Sequence, residues 1–441
     1  MTAPTMAVPF ARCPTVLRQA RLPRWLLGPA WPKQPGGSDI PVLARITLHQ
    51  GRVHQVVPDA GGPLEPGGWN LAGALVLPAF VDAHVHLDKT FTRERAGRVS
   101  PGLLGAIEAS TADLVHWTPN DIHARATRAL EWARGAGTIH VRSHVNWPEV
   151  GPLPMAWPVL TQLAHDWADR LVLERVSLTK LDSFVTPAAA QLVAQQVKAG
   201  GSNAVLGGFV HSTNWHPQAL RNLLEAAQSA DLDVDLHVDE ELNPGAQGLL
   251  GIAQLLQNIG FQRRVVCGHV CALAAMPRDH ALAILDQVAL APITLVSLPI
   301  TNLLLQDATT GETPRWRGIT LVKEARARGI PLLFASDNVE DPFCTVGSYD
   351  PMDAMASAVT AAQLESPFDN WSDTICRSDW LAQQPHSAPT LVDAPADLVI
   401  FTQANATGWP SRSGPRVVMR TGVAHHAPPP AWFAPSQTPP N

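Results

Sequence analysis

The chain has 441 residues, 46% of them hydrophobic and 16% charged, which is ample apolar material for a large buried core and excludes a wholly disordered polymer. The formal charge is −6, with 32 Lys and Arg against 38 Asp and Glu and no basic block, so a nucleic-acid partner is not expected. No apolar run of about 18 residues is present, and residues 1–27 lack a basic segment followed by an apolar core, so neither a membrane span nor a secretion signal is expected and the cytoplasm is the anticipated location.

Residues 1–39 are rich in Pro and Gly and read as an irregular lead-in. Residues 40–75, with a hairpin around HQGR, and residues 390–425, with ADLVIF and RVVMRTGV, read as one small β domain assembled from both ends of the chain. Residues 426–441 are Pro-rich and read as a loose tail. Between them, in residues 76–389, eight short apolar runs alternate with helical patterns: ALVLPAFVDAHVH, TIHVRSHV, LVLERVSL, NAVLGGFVH, LDVDLHVDE, RVVCGHV, ITLVSL and PLLFASD. Several intervening helical segments, such as PNDIHARATRALEWARGAG, end in Gly as a helix stop does. Strand and helix repeated eight times predict an α/β fold of the (β/α)8 TIM-barrel type.

In such a barrel the functional residues stand at the C-terminal ends of the strands. The run ends carry His84 and His86, then His144, then His237 with Asp239 and Glu240, then His269 and finally Asp337. Residues i and i+2 of a strand share a face, so His84 and His86 can reach one ion. A lone histidine at a strand end is more often structural than ligating, but four strands placing imidazoles or a carboxylate at one end is a metal signature. A nitrogen and carboxylate set without thiolate suits zinc, iron or manganese. The five cysteines are odd in number and scattered, and Cys267 and Cys271 read as buried apolar residues rather than ligands.

Taken in order, LPAFVDAHVHLDK, VDLHVDEE, VVCGHV and FASDNVEDPF resemble the amidohydrolase superfamily and, within it, the cytosine deaminase branch; LPITNLLLQD followed by RWRGITLVKEARARGI extends the likeness. The resemblance implies a distorted (β/α)8 barrel with a small composite β-sandwich domain. It implies His84, His86, His237 and Asp337 as ligands of one divalent ion, zinc or iron. Asp337 would also take the water proton, Glu240 would shuttle it to the ring nitrogen, and His269 would hydrogen-bond the attacking water. The end of strand four, LGGFVHSTN, offers no lysine or acid to bridge a second ion, which favours a mononuclear site. Asp88 and Asp239 read as structural acceptors, and Arg142 and His144 as residues facing the barrel interior.

The implied activity is hydrolytic removal of an exocyclic amine from a small nitrogen heterocycle. A cytosine-like pyrimidine ranks ahead of an s-triazine of the N-alkylammelide type and of a pterin. Lys89, Lys180, Asn338 and Phe343 are the candidate substrate contacts, and the two lysines favour an oxo-rich or anionic ring. A homo-oligomer is expected. The reading from a different class is a barrel that has lost catalysis and serves as a binding module.

Overall fold

The computed structural model describes residues 13–34, 40–382, 389–404, 408–410, 414–425 and 428–433. They fall into two compact units, one of Met1–Ala79, Glu365–Cys376 and Ser387–Asn441, the other of Phe80–Leu364 and Arg377–His386.

The second unit holds a single parallel sheet whose strands follow chain order: β1 (Phe80–Val85), β2 (Thr138–Trp147), β3 (Val172–Thr179), β4 (Ala204–Val210), β5 (Val234–Val238), β6 (Val265–His269), β7 (Ile293–Ser297) and β8 (Leu332–Phe334). Each matches one of the eight apolar runs. The ring closes at the seam between first and last strand, where Val85 bridges Asp337 and the Asp337 N–H donates to the His84 carbonyl at 2.9 Å. β5, β6 and β7 are buried throughout, as strands covered on both faces must be.

The helices between strands start and stop where the chemistry dictates. The Thr118 hydroxyl accepts the Asp121 N–H at the head of helix Pro119–Ala136, Pro119 fills its first position, and Gly137 ends it at φ 105°. Thr186 does the same for Pro187–Ala199. The GITLVKEARARGI segment is less helical than its pattern predicts, with a helix only over Val322–Ala327, because the Thr320 hydroxyl is drawn away to donate to the His269 carbonyl at 2.7 Å.

The first unit contains two four-stranded sheets. One orders Arg52–Pro58, Ala44–His49, Val16–Ala20 and Trp69–Asn70; the other orders Val423–Ala424, Arg416–Arg420, Leu398–Phe401 and Leu75–Pro78. Their inner faces share one apolar core that includes Leu17, Ile46, Val76, Ile400 and Met419, so they form a sandwich. The expected hairpin turns at Gln50 and Gly51, both at positive φ, and a Cβ on Gly51 would meet the Thr421 carbonyl oxygen at 2.7 Å.

Several boundaries differ from the sequence reading. The 1–39 lead-in carries a strand, Val16–Ala20, whose short VLRQA pattern is set inside Pro-rich sequence but pairs with Ala44–His49. The first apolar run is two strands, since Leu75–Pro78 pairs with Leu398–Phe401 before Phe80 enters the barrel. Residues 365–376, counted with the barrel by their position in the chain, belong to the first unit, where Arg21 pairs with Asp369 at 2.7 Å. In the tail, Trp432 is buried with its ring 6.2 Å from that of Trp69.

Candidate metal centre and active site

The residues read from the strand ends converge. His84 and His86 lie at the end of β1, His237 on β5, and Asp337 just beyond β8, and all four are buried. His84 Nε2 is 3.1 Å from His237 Nε2, which is 3.2 Å from His86 Nε2. Asp337 Oδ1 stands 3.6 Å from His84 Nε2 and 3.3 Å from His86 Nε2. Burial pushes all three imidazoles well below their usual pKa, so they are neutral and carry free lone pairs. Burial, with Asp341 adding to it, pushes the Asp337 carboxyl well above the usual range. Among the described residues, neither Asp337 oxygen meets a donor in strict hydrogen-bond geometry, and the Thr301 hydroxyl is the side-chain donor that offsets part of its burial. His84, His86 and Asp337 form one trio of buried donors within 4.8 Å of one another, and His84, His237 and His269 a second that shares His84; such donors fit a divalent cation, which would relieve both the unpaired oxygens and the burial cost of the carboxylate.

Backbone conformation supports the arrangement. Asp239, His269 and Asp337 all take positive φ, at 48°, 68° and 61°, where side chains turn sharply off a strand end. The Asp239 carboxylate accepts the Gly248 and Leu249 N–H groups at 3.1 and 2.9 Å, capping helix Gly248–Ile259. A Cβ at Gly248 would sit 2.4 Å from Asp239 Oδ1, so only glycine fits there. Asp88 Oδ2 accepts the Asn146 N–H at 2.8 Å. Both acids are thus structural acceptors, as their sequence setting suggests.

Beside these donors lies a cavity of about 240 Å³. His86, His237, Glu240 and His269 line it, together with Lys89, Asn338, Phe343, Asn146, Lys180 and Phe209. Leu103, Ile107 and Leu114, on and just after helix Gly102–Asp113, supply an apolar wall. Glu240 Oε1 is 3.3 Å from His269 Nδ1, the same nitrogen that meets Asn302 Nδ2 at 3.0 Å. Burial, and then the charge of Asp337, raise the Glu240 carboxyl well above its ordinary pKa, which biases it toward its protonated, proton-donating form. His269 is pushed down to about 3 by burial and stays neutral.

The four substrate candidates all border the cavity, in different settings. Lys89 is buried, with Nζ 3.0 Å from His86 Nδ1, 3.3 Å from Asp88 Oδ1 and 5.9 Å from the Phe343 ring centre. Asn338 is held by Asp341, to which its Nδ2 donates at 2.6 Å. Lys180 is exposed at the end of β3. Where a bridging lysine or acid could have stood at the end of β4, Phe209 faces the cavity.

Sequence reasoning passed over three residues that the fold brings here. Asn302 comes from the short helix Pro299–Leu305, inside the LPITNLLLQD segment noted for its likeness but given no role. Thr320 holds the His269 backbone, and Asn146 lines the cavity. The last shares strand parity with Arg142 and His144, so its inward direction was readable.

A (β/α)8 barrel with buried histidine and aspartate side chains gathered at its strand ends fits the frame of a metal-dependent hydrolase, and the chain belongs to the amidohydrolase family, whose model matches residues 161–407. It is 34% identical over 384 residues to a pterin deaminase of Rhizobium rhizogenes (strain K84 / ATCC BAA-868), covering 86% of this chain and 87% of that protein. It is also 26% identical over 290 residues to an N-isopropylammelide isopropyl amidohydrolase of Pseudomonas sp. (strain ADP), covering 63% and 66%. In fold it is similar to the structure of a 5-methylcytosine deaminase from Klebsiella pneumoniae liganded with phosphonocytosine, with TM-score 0.76, 23% identity and 95% and 100% of the two chains covered. Among the described residues no helix is long and apolar enough to cross a membrane.

Proposed function

We propose that this protein is a mononuclear metal-dependent deaminase that removes the exocyclic amino group of a pterin-type ring. The observation that carries the chemistry is the position of Glu240, a carboxyl biased toward its protonated form, 3.3 Å from His269 and in the cavity that His86 and His237 also line. The choice of ring follows the relation to pterin deaminase, which is longer and closer than that to the triazine enzyme. It moves the pterin ahead of the cytosine-like pyrimidine that ranks first from the motifs alone.

His84, His86, His237 and Asp337 would hold one zinc or iron ion, which supplies Lewis-acid activation of a water at neutral pH. Asp337 takes a proton from that water. Glu240 gives a proton to the ring nitrogen next to the amino-bearing carbon as the water oxygen adds, and His269, held by Asn302, steadies the water by a hydrogen bond. The amine then leaves as ammonia after a second proton transfer, and the ring carbon becomes a carbonyl. Phe343 offers a face for the flat ring, and the apolar wall excludes water.

The test is ammonia release by the metal-loaded protein from a panel of pterins, aminopyrimidines and aminotriazines. Turnover of pterin ahead of cytosine and of N-isopropylammelide is expected, with loss of activity on chelation and recovery on adding zinc or iron. Preference for another ring overturns the substrate assignment. No turnover of any member, from protein with metal bound, overturns the enzyme reading in favour of a binding module.

A further inference from the structure

The cavity's polar side chains are mostly committed. Lys89 is engaged with Asp88, Glu240 with His269, and Asn338 with Asp341. Asn146 differs. Its backbone N–H is clamped by Asp88 Oδ2 at 2.8 Å, yet its carboxamide, half-buried at the cavity wall, makes no hydrogen bond among the described residues.

Its direction is fixed by the strand. On β2 the inward positions are Arg142, His144 and Asn146. Arg142 Nε donates to Glu174 at 2.6 Å and its Nη1 to Asp235 at 3.0 Å. The His144 ring stacks on His84. Asn146 is the next inward residue toward the mouth, about 7 Å further along the strand. The next residue, Trp147, also borders the cavity but packs edge-on to Trp157 with ring centres 5.1 Å apart. A clamped backbone thus presents an unbonded carboxamide to the space a substrate ring must fill.

A carboxamide offers one acceptor and a parallel donor, which match the N–H and C=O of a cyclic amide. We infer that Asn146 is a specificity-determining residue that pairs with the cyclic amide edge of the substrate ring, an assignment that rests on the pterin reading and deepens it. In a pterin this edge is the N3–H and the 4-carbonyl, beside the carbon that carries the amine. A site that pairs with such an edge rejects rings that lack it.

The experiment compares metal-loaded parent enzyme, Asn146→Ala and Asn146→Leu on pterin and on 3-methylpterin, in which a methyl group replaces the N–H. Both variants should raise KM for pterin roughly 10–100-fold, with kcat changed by less than about threefold and metal content unchanged. The parent should discriminate against 3-methylpterin, and Asn146→Ala, with room for the methyl group, should reduce that discrimination at least about tenfold. Asn146→Leu keeps the volume of the side chain, so a KM effect shared by both variants is not a packing defect. The inference is overturned if both variants keep the parent's KM for pterin and its ratio of pterin to 3-methylpterin. If the parent turns over neither compound but releases ammonia from another ring, the pterin reading fails and the edge assignment goes with it; a parent active on pterin with unchanged variants sinks the Asn146 assignment alone.

Discussion

The imidazole of His144 lies stacked on that of His84, with ring centroids 3.8 Å apart and planes 28° from parallel. His144 is fully buried, its Nε2 3.6 Å from Asp235 Oδ1, and the second Asp235 oxygen accepts from Arg142. His84 is therefore packed against a buried ring whose own nitrogens make no hydrogen bond among the described residues. Replacing His144 by Ala should lower metal affinity by roughly 10–100-fold, the usual effect of losing a group that holds a ligand in place. His144→Phe, which keeps a ring against His84, should retain more metal than His144→Ala. Metal content after dialysis against graded chelator concentrations measures both.

Glu240 stands three residues beyond His237 and faces His269, outside the buried donor trios. Glu240→Gln should lower kcat by about 10²–10⁴-fold, the range for losing a positioned proton donor. Bound metal should remain at the parent level. Loss of metal together with activity would reassign Glu240 as a ligand.

Lys89 places a buried ammonium between Asp88 and the cavity. Lys89→Met keeps much of the length and removes the charge, while Asp88 retains the Asn146 N–H. The expected result is a KM for oxo-substituted rings raised about 10–100-fold, as for a lost hydrogen bond to a charged group, with less effect on rings lacking that oxygen. Equal effects across the substrate panel would mean that Lys89 only supports His86.

In the sandwich unit, the Arg18 guanidinium holds Asp59 down to about 2, against an ordinary value of 3.8. A depressed acid stabilises the fold fully above its unfolded pKa and loses that contribution as pH falls through the folded value. Asp59→Asn should therefore be less stable than the parent at pH 6, and the gap should narrow between about pH 4 and 2. Urea melts of both proteins across that range check the sign.

The barrel was legible because most of its strands are short runs rich in apolar residues followed by helical segments, as covered parallel strands tend to be. Val265–His269 and Ile293–Ser297 show this plainly. The metal candidates were legible for a related reason: strand ends are where period-two spacing still holds, so His84 and His86 had to share a face. What escaped was set by long-range contacts. Asn302 reaches His269 from a different strand's loop, and Thr320 breaks its helix to hold the same residue. Val16–Ala20 was obscured by the prolines around it, and only its pairing with Ala44–His49 makes it a strand. No local pattern carries such information.

The seam of the barrel has a consequence for how the chain is made. His84 and His86 emerge early in synthesis, whereas Asp337 lies just beyond the last strand and meets His84 only when Val85 and Asp337 bridge. A nascent chain ending before β8 carries the imidazoles but lacks both the carboxylate and the bridge that positions it. If these residues hold the ion as proposed, tight capture would wait until the ring is complete, and binding would then favour the joined strands over an unfinished barrel that lacks one of the donors.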